Sequence, residues 1–339
     1  YDMYYGPNNA TLVLAGDFEK EDAKALVEKY FGEIKKRQEV APLEPQRVSL
    51  AETKRLYHED NFARAPQLHM VWPTLEQYTE DAYALDFLAQ LLSDGKKAPM
   101  YKVLVKEKEL TSRVSSYNNS QELAGEFHVV VTANSGKNLA EVETAIMESF
   151  QKFEEEGVSE KDVERIKASL ETGFYNSISS VLGKSFQLAR YNVFTGDPAF
   201  ITQDIENIKK VTKEDVMRVY NTYLKDKPYV ITSFVPKGSL DLIAENSTKA
   251  NIVEEEIKEN VAVKIEESND EVVKTASNFD RSKAPEMGES PKLNIPESWA
   301  VTLNNDMKVL GIEQTELPIV NFSIVLDGGH LLDDINKNG

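Results

Sequence analysis

The sequence predicts an α+β fold, a largely antiparallel sheet with helices packed on one face. Three observations carry that expectation. Short β-rich runs recur at residues 54–58, 67–72, 111–119, 126–133 and 229–235. Long stretches with apolar residues at helical spacing are grouped between residues 139 and 223 instead of alternating singly with strands. Hydrophobic residues make up 41% of the 339, enough chain and enough apolar surface to bury a real core. Clustered strands and clustered helices bury their apolar faces against one another as layers.

Each element has its own signal. Thr11 to Ala15 is a short apolar run ending at Gly16-Asp17 and reads as a buried strand. From Glu19 to Phe31 the apolar residues Ala23, Leu26, Val27, Tyr30 and Phe31 recur at helical spacing, with Gly32 as the stop. Pro42 and Pro45 mark a linker. Lys54 to His58 and Gln67 to Trp72 read as strands, the second ended by Pro73. Tyr78 to Leu92 is a helix and Met100 to Val105 opens a short one. Thr111 to Asn119 and Glu126 to Ala133 are strands. Helices follow at Leu139 to Glu156, Glu160 to Ser179, Leu182 to Thr195, Ile201 to Ile208 and Lys213 to Tyr223. Tyr229 to Val235 is a strand closed by Pro236. The expected core is Leu12, Leu14, Phe31, Val71, Leu88, Leu91, Phe127, Val129, Val131, Ile166, Leu188 and Ile231.

Residues 241 to 295 change character. Positions 241–290 hold 13 acidic and 6 basic residues and almost no aromatics, which reads as an acidic linker, extended or partly disordered. From Trp299 the pattern is β-like again, at Lys308 to Ile312 and Ile319 to Leu326. Two such strands cannot stand alone, so they read as the opening of a further domain.

Composition limits function. The net charge is −18, from 39 Lys and Arg against 57 Asp and Glu, and argues against nucleic-acid binding. No apolar run is long enough to span a membrane, and the first residues lack a basic, apolar leader pattern. With no cysteine, disulfides, thiolate zinc sites and cysteine nucleophiles are excluded. Imidazole chemistry is limited to His58, His69, His128 and His330. Neither H-E-x-x-H nor H-x-x-E-H occurs, so no helix presents two histidines on one face. His58 and His69, on strands expected to neighbour each other, could approach, but read as two surface or half-buried imidazoles. His128 takes the face opposite Phe127, Val129 and Val131. Ser93 to Lys96 matches S-x-x-K but reads as a helix-end turn, and Glu154, Glu155 and Glu156 read as a solvated helix end. No catalytic residue, cofactor site or metal site is assigned.

Several strings, in order, resemble the insulinase (pitrilysin) family of zinc peptidases. Tyr5-Gly6-Pro7-Asn8-Asn9, the apolar run to Ala15 and Gly16-Asp17-Phe18 are similar to the Y-x-P-N-N, strand and G-D that precede the family's C-terminal lobe. Tyr30 to Ile34, Gly183 to Arg190, Phe194 to Pro198 and Ile208 to Val216 continue the resemblance to about residue 240. Leu303 to Leu310, Leu317 to Val320 and Leu326 to Gly329 look like the opening strands of the family's N-terminal lobe.

The resemblance implies four segments. Residues 1–35 are the end of a preceding lobe or a lead-in, and 36–240 are a noncatalytic C-terminal lobe. Residues 241–295 are the acidic linker, and 296–339 are the start of a further lobe. It also implies a clamshell chamber that degrades peptides, with zinc in the parent protein and its H-x-x-E-H outside this chain. The partners implied are the other lobes and peptide substrates, and bacterial relatives lean towards a periplasmic location. The family's substrate-binding Arg and Tyr, in L-R-x-x-x-x-L-G-Y, correspond here to Val105 and Ser112, so that pair is degenerate. A catalytically dead scaffold or assembly subunit and an independent peptide-binding module are the rival expectations.

Overall fold

The computed structural model describes residues 3–252, 277–284, 286–288, 290, 292, 295–326 and 328–329. Helix α1 spans Lys20–Phe31; strands β1 and β2 span Lys54–Asp60 and Gln67–Thr74, and α2 spans Glu80–Ser93. A π-helical turn, Tyr101–Glu107, leads to β3 (Val114–Ser120) and β4 (Gly125–Thr132). Five helices follow: α3 (Leu139–Glu156), α4 (Glu160–Ser177), α5 (Val181–Thr195), α6 (Ile201–Lys210) and α7 (Lys213–Val219). A second π-helical turn, Tyr220–Leu224, precedes β5 (Val230–Pro236) and the two-residue β6 (Thr248–Lys249). Strands β7 (Ser298–Thr302) and β8 (Lys308–Ile312) form a separate antiparallel pair.

The main sheet runs β3-β4-β2-β5-β1-β6. Its β3–β4, β4–β2 and β2–β5 pairings are antiparallel, and β5–β1 and β1–β6 are parallel. Alternation decides which face is buried. On β2, Leu68, Met70 and Trp72 point into the helical layer, while Gln67, His69, Val71 and Pro73 point the other way and stay half-buried. Phe127, Val129 and Val131 of β4 and Ile231 and Val235 of β5 share the inner face.

The helices cover that inner face. α2 contributes Ala84, Leu85, Phe87, Leu88 and Leu92, all shielded from solvent, and α3 contributes Leu139, Val142, Ile146, Phe150 and Phe153. Trp72 packs between the rings of Phe150 and Tyr229, at centroid distances of 5.8 and 4.9 Å. Arg55 of β1 pairs with Glu143 of α3, which also accepts a 3.0 Å hydrogen bond from the Tyr229 hydroxyl. Caps fix the helix starts. Asn138 accepts from the Ala140 N–H, Ser159 from Asp162, and Thr212 with Asp215 forms a reciprocal capping box. Gly183 has a packing reason: a Cβ there would sit 1.9 Å from the Ser177 carbonyl oxygen, in the tight turn joining α4 to α5.

Several expectations need correction. Thr11 to Ala15 is extended but unpaired, with Leu12 and Leu14 54% and 50% exposed; it lies beside α1, away from the main sheet. Phe31 and Leu188 are also exposed, at 51% and 39%, because α1 and α5 present apolar side chains that nothing among the described residues covers. Val71 and Leu91 are half-buried. Leu88, Phe127, Val129, Val131, Ile166 and Ile231 are in the core as expected. Pro73 lies inside β2 instead of ending it. Pairing with β5 stops at Val71, so past that point only the β4 side continues. Residues 241–250, read from their charge as linker, pack on the lobe: Ala244 is buried and β6 joins β1. Ile319 to Leu326 forms no strand and is mostly exposed. The central part of the acidic linker, residues 253–276, lies outside the described residues, as does His330.

Candidate functional site

The helical layer covers the inner face of the sheet, and three of the four histidines are on the outer face, His58 and His69 half-buried and His128 buried. Sheet order separates His58 from His69, because β5 runs between β1 and β2. His58 instead stacks on Phe234 of β5, with centroids 5.7 Å apart. The pair that forms is His69 with His128, on the neighbouring strands β2 and β4. His69 Nε2 and His128 Nδ1 are 2.9 Å apart. Tyr117 of β3, paired directly with His128, stacks on its ring at 4.6 Å. Period-two alternation put His128 on this face in the sequence; its partner needed the strand order, which the sequence did not supply.

Burial and neighbouring charge both act on the pair. Burial lowers the pKa of both imidazoles, and for His69 the neighbouring His128 adds to the effect. The Glu126 carboxylate lies 3.2 Å from His128 Nε2 and opposes the shift. The Glu126 carboxylate favours the tautomer with the proton on Nε2, in which His128 Nδ1 accepts from His69 Nε2–H.

This arrangement does not fit a zinc centre. The ring centroids of His69 and His128 are 5.1 Å apart around a 2.9 Å nitrogen contact, so the two nitrogens face each other nearly head-on. Zinc ligands must instead converge on a point beside both rings. Glu126 contacts the other nitrogen of His128. Among the described residues no group of three or more His, Asp or Glu side chains could hold a metal ion.

The remaining motifs are structural. Ser93 ends α2; its hydroxyl bonds the Ala89 carbonyl and accepts from the Ser116 N–H, while Gly95 turns the chain at φ 80°. Glu154 accepts from the Tyr220 hydroxyl and Lys225, and Glu156 pairs with Lys102. Val105 is half-buried against the core from the first π-helical turn, and Ser112 is exposed in the loop before β3. Beside Val71, Pro73 and Val230, the outer face borders a largely apolar cavity of about 550 Å³ that Val48, Leu50 and Phe194 also line. The face therefore offers aromatic and apolar surface around the His69–His128 pair. No described helix is long and apolar enough to cross a membrane.

Known proteins place this architecture. The family described as the peptidase M16 inactive domain matches residues 1–170. The zinc protease PqqE of Helicobacter pylori is 23% identical over 231 residues, covering 67% of this chain and 51% of that protein. The crystal structure of a protease from Helicobacter pylori superposes with a TM-score of 0.60 at 21% identity, over 69% of this chain and 57% of that one. A peptidase M16 inactive domain from Pseudomonas fluorescens gives a TM-score of 0.52 at 19% identity, over 68% of this chain and 53% of that one. The chain thus spans about half the length of these relatives. The six-stranded sheet with one helical layer is the fold they share, and with the family match spanning half of its residues the chain belongs to the peptidase M16 inactive-domain family.

Proposed function

We propose that this chain is a noncatalytic part of a larger zinc-dependent peptidase, in which residues 36–240 support a zinc-bearing lobe and form part of the wall of a peptide chamber. One observation carries the reading: a lobe with its own core is flanked on both sides by pieces whose apolar side chains stay exposed among the described residues. On one side Leu12, Leu14, Phe18, Leu26 and Phe31 surround an exposed apolar cavity of about 510 Å³. On the other, the β7–β8 pair exposes Trp299, Val301, Leu310 and Ile312. Exposed apolar area on this scale marks surfaces that neighbouring protein covers. In this reading residues 1–35 complete a preceding lobe and 296–339 begin a further one, with the acidic segment 241–295 as the joint between halves.

Zinc and its ligands belong to another lobe in this reading, which the poor fit of the His69–His128 pair to the metal supports. Val105 and Ser112 stand where the family places a substrate-binding Arg and Tyr, so the opposite half supplies those contacts. Negative charge around a closed chamber favours cationic peptides.

The test compares the chain alone with the longer natural protein, using a quenched fluorescent peptide. Hydrolysis is expected only with the longer protein, and deleting residues 36–240 from it removes the activity. Activity that survives the deletion contradicts the proposal. A longer protein without any H-x-x-E-H would favour a scaffold.

A further inference from the structure

The helical side of the lobe holds a second cavity, of about 480 Å³, between α2, α4, α5, α6 and the end of β3. That is a size typical of small-molecule sites. Its charged groups are arranged unusually. Asp204 of α6 is buried and closed off, accepting from the Tyr83 hydroxyl at 2.5 Å and the Tyr191 hydroxyl at 2.6 Å. Burial and the Asp204 carboxylate push both tyrosines above their ordinary range, so they remain hydrogen-bond donors.

Asp86 of α2 is different. Its one side-chain hydrogen bond among the described residues is a 3.2 Å contact from Asn118 Nδ2, and no described cation pairs with it. Arg190 of α5 lines the same cavity and is also without a carboxylate among the described ion pairs. Its Nε donates to the Tyr78 hydroxyl at 2.9 Å and its Nη2 to Gln77 Oε1 at 2.8 Å, both neutral acceptors. Three further N–H groups remain on the guanidinium. Tyr78 holds a left-handed backbone, φ 62°, at the rim, and strain of this kind gathers at binding sites.

Among the described residues, one cavity thus carries a carboxylate lacking a cation and a guanidinium lacking an anion. We propose that it binds a basic amino acid, free or at the C-terminus of a short peptide: the ligand's cationic side chain meets Asp86 and its carboxylate meets Arg190. Asp204 holds negative potential next to Asp86 and favours the cation further. Arg190 receives the carboxylate in the bidentate geometry that a guanidinium prefers. The site is on the helical side of the sheet and is independent of the chamber role.

Isothermal titration of the 339-residue chain tests it with four probes: L-arginine, Gly-Gly-Arg, agmatine and L-norvaline. L-Arginine or Gly-Gly-Arg saturates one site. Agmatine lacks the carboxylate and norvaline lacks the cation, and each binds at least about tenfold more weakly. Asp86→Asn and Arg190→Gln each weaken the better ligand by about tenfold or more, without loss of folded structure by circular dichroism. Tighter binding of Gly-Gly-Arg assigns the site to peptide C-termini, and tighter binding of arginine to the free amino acid. Burial raises the Asp86 carboxyl to about 7, so binding strengthens as pH rises through that value. The other ionisable side chains facing the cavity are Tyr78, Tyr83, Asp204 and Arg190. The proposal is overturned if neither arginine ligand saturates at millimolar concentration, or if both variants bind as the parent does. Should Asp86→Asn not fold, Arg190→Gln at an exposed side chain decides alone.

Discussion

Asp86 sits in a setting that penalises its charge, and its effect on stability has a definite sign. Burial raises its carboxyl from the ordinary 3.8 to about 7, so the folded state keeps a proton that the unfolded chain gives up. Stability from this group is complete below about pH 4 and is lost as pH rises towards 7. Asp86→Asn therefore gains on the parent across that window, on the order of 2 kcal/mol by pH 8, measurable by urea unfolding. His69 and His128 act in the opposite direction. Their pKa values are lowered, so the unfolded chain binds protons more readily and stability falls as pH drops below the ordinary imidazole value. Replacing His128 with Gln should flatten that acid limb of the stability profile. Asp204 is the costliest of these groups to remove. Asp204→Ala strands two buried tyrosine hydroxyls and should cost about 3 kcal/mol, against about 1.5 for Tyr83→Phe, which loses one bond.

Helices inside the lobe were most legible where a period and an end signal coincide. α3 matches its expected bounds, Leu139–Glu156, since Asn138 caps its start and Gly157, at φ 67°, stops it. Lys213–Tyr223 was readable as helical, but the passage into a π-helical turn at Tyr220 leaves no mark in apolar spacing. Thr11 to Ala15 and Ile319 to Leu326 show what a pattern omits. An apolar run reports a tendency to be buried, whereas a strand also needs an edge to pair with, and neither segment has one here. β6 was missed for the converse reason: Thr248 and Lys249 are two exposed polar residues held by pairing with β1. In the candidate site, each histidine's face could be read from alternation, but the His69–His128 contact depends on strand order. The sheet and its helices all lie between residues 54 and 249, so a chain cut to residues 40–250 should keep a single cooperative melt. Loss of that transition would mean that α1 or the β7–β8 pair is needed to hold the lobe together.

At the scale of the whole molecule, the fold buries its apolar core inside one lobe and leaves further apolar side chains exposed on α5 and on the flanking pieces. The segment 277–281 already reaches back towards the first of these: Phe279 packs edge-on against Tyr30, and Arg281 pairs with Glu33. Lys184 of α5 likewise pairs with Glu316 beyond the acidic segment. These contacts bring the pieces near the lobe without covering the Leu12–Phe31 surface. Family membership agrees with a supporting role, and the donor geometry of His69 and His128 argues against a zinc site at that pair. The most direct test of that central claim is the zinc content of the purified chain after dialysis against trace zinc. The account predicts a stoichiometry near zero. One zinc per chain, lost on replacing His69 or His128, would contradict it.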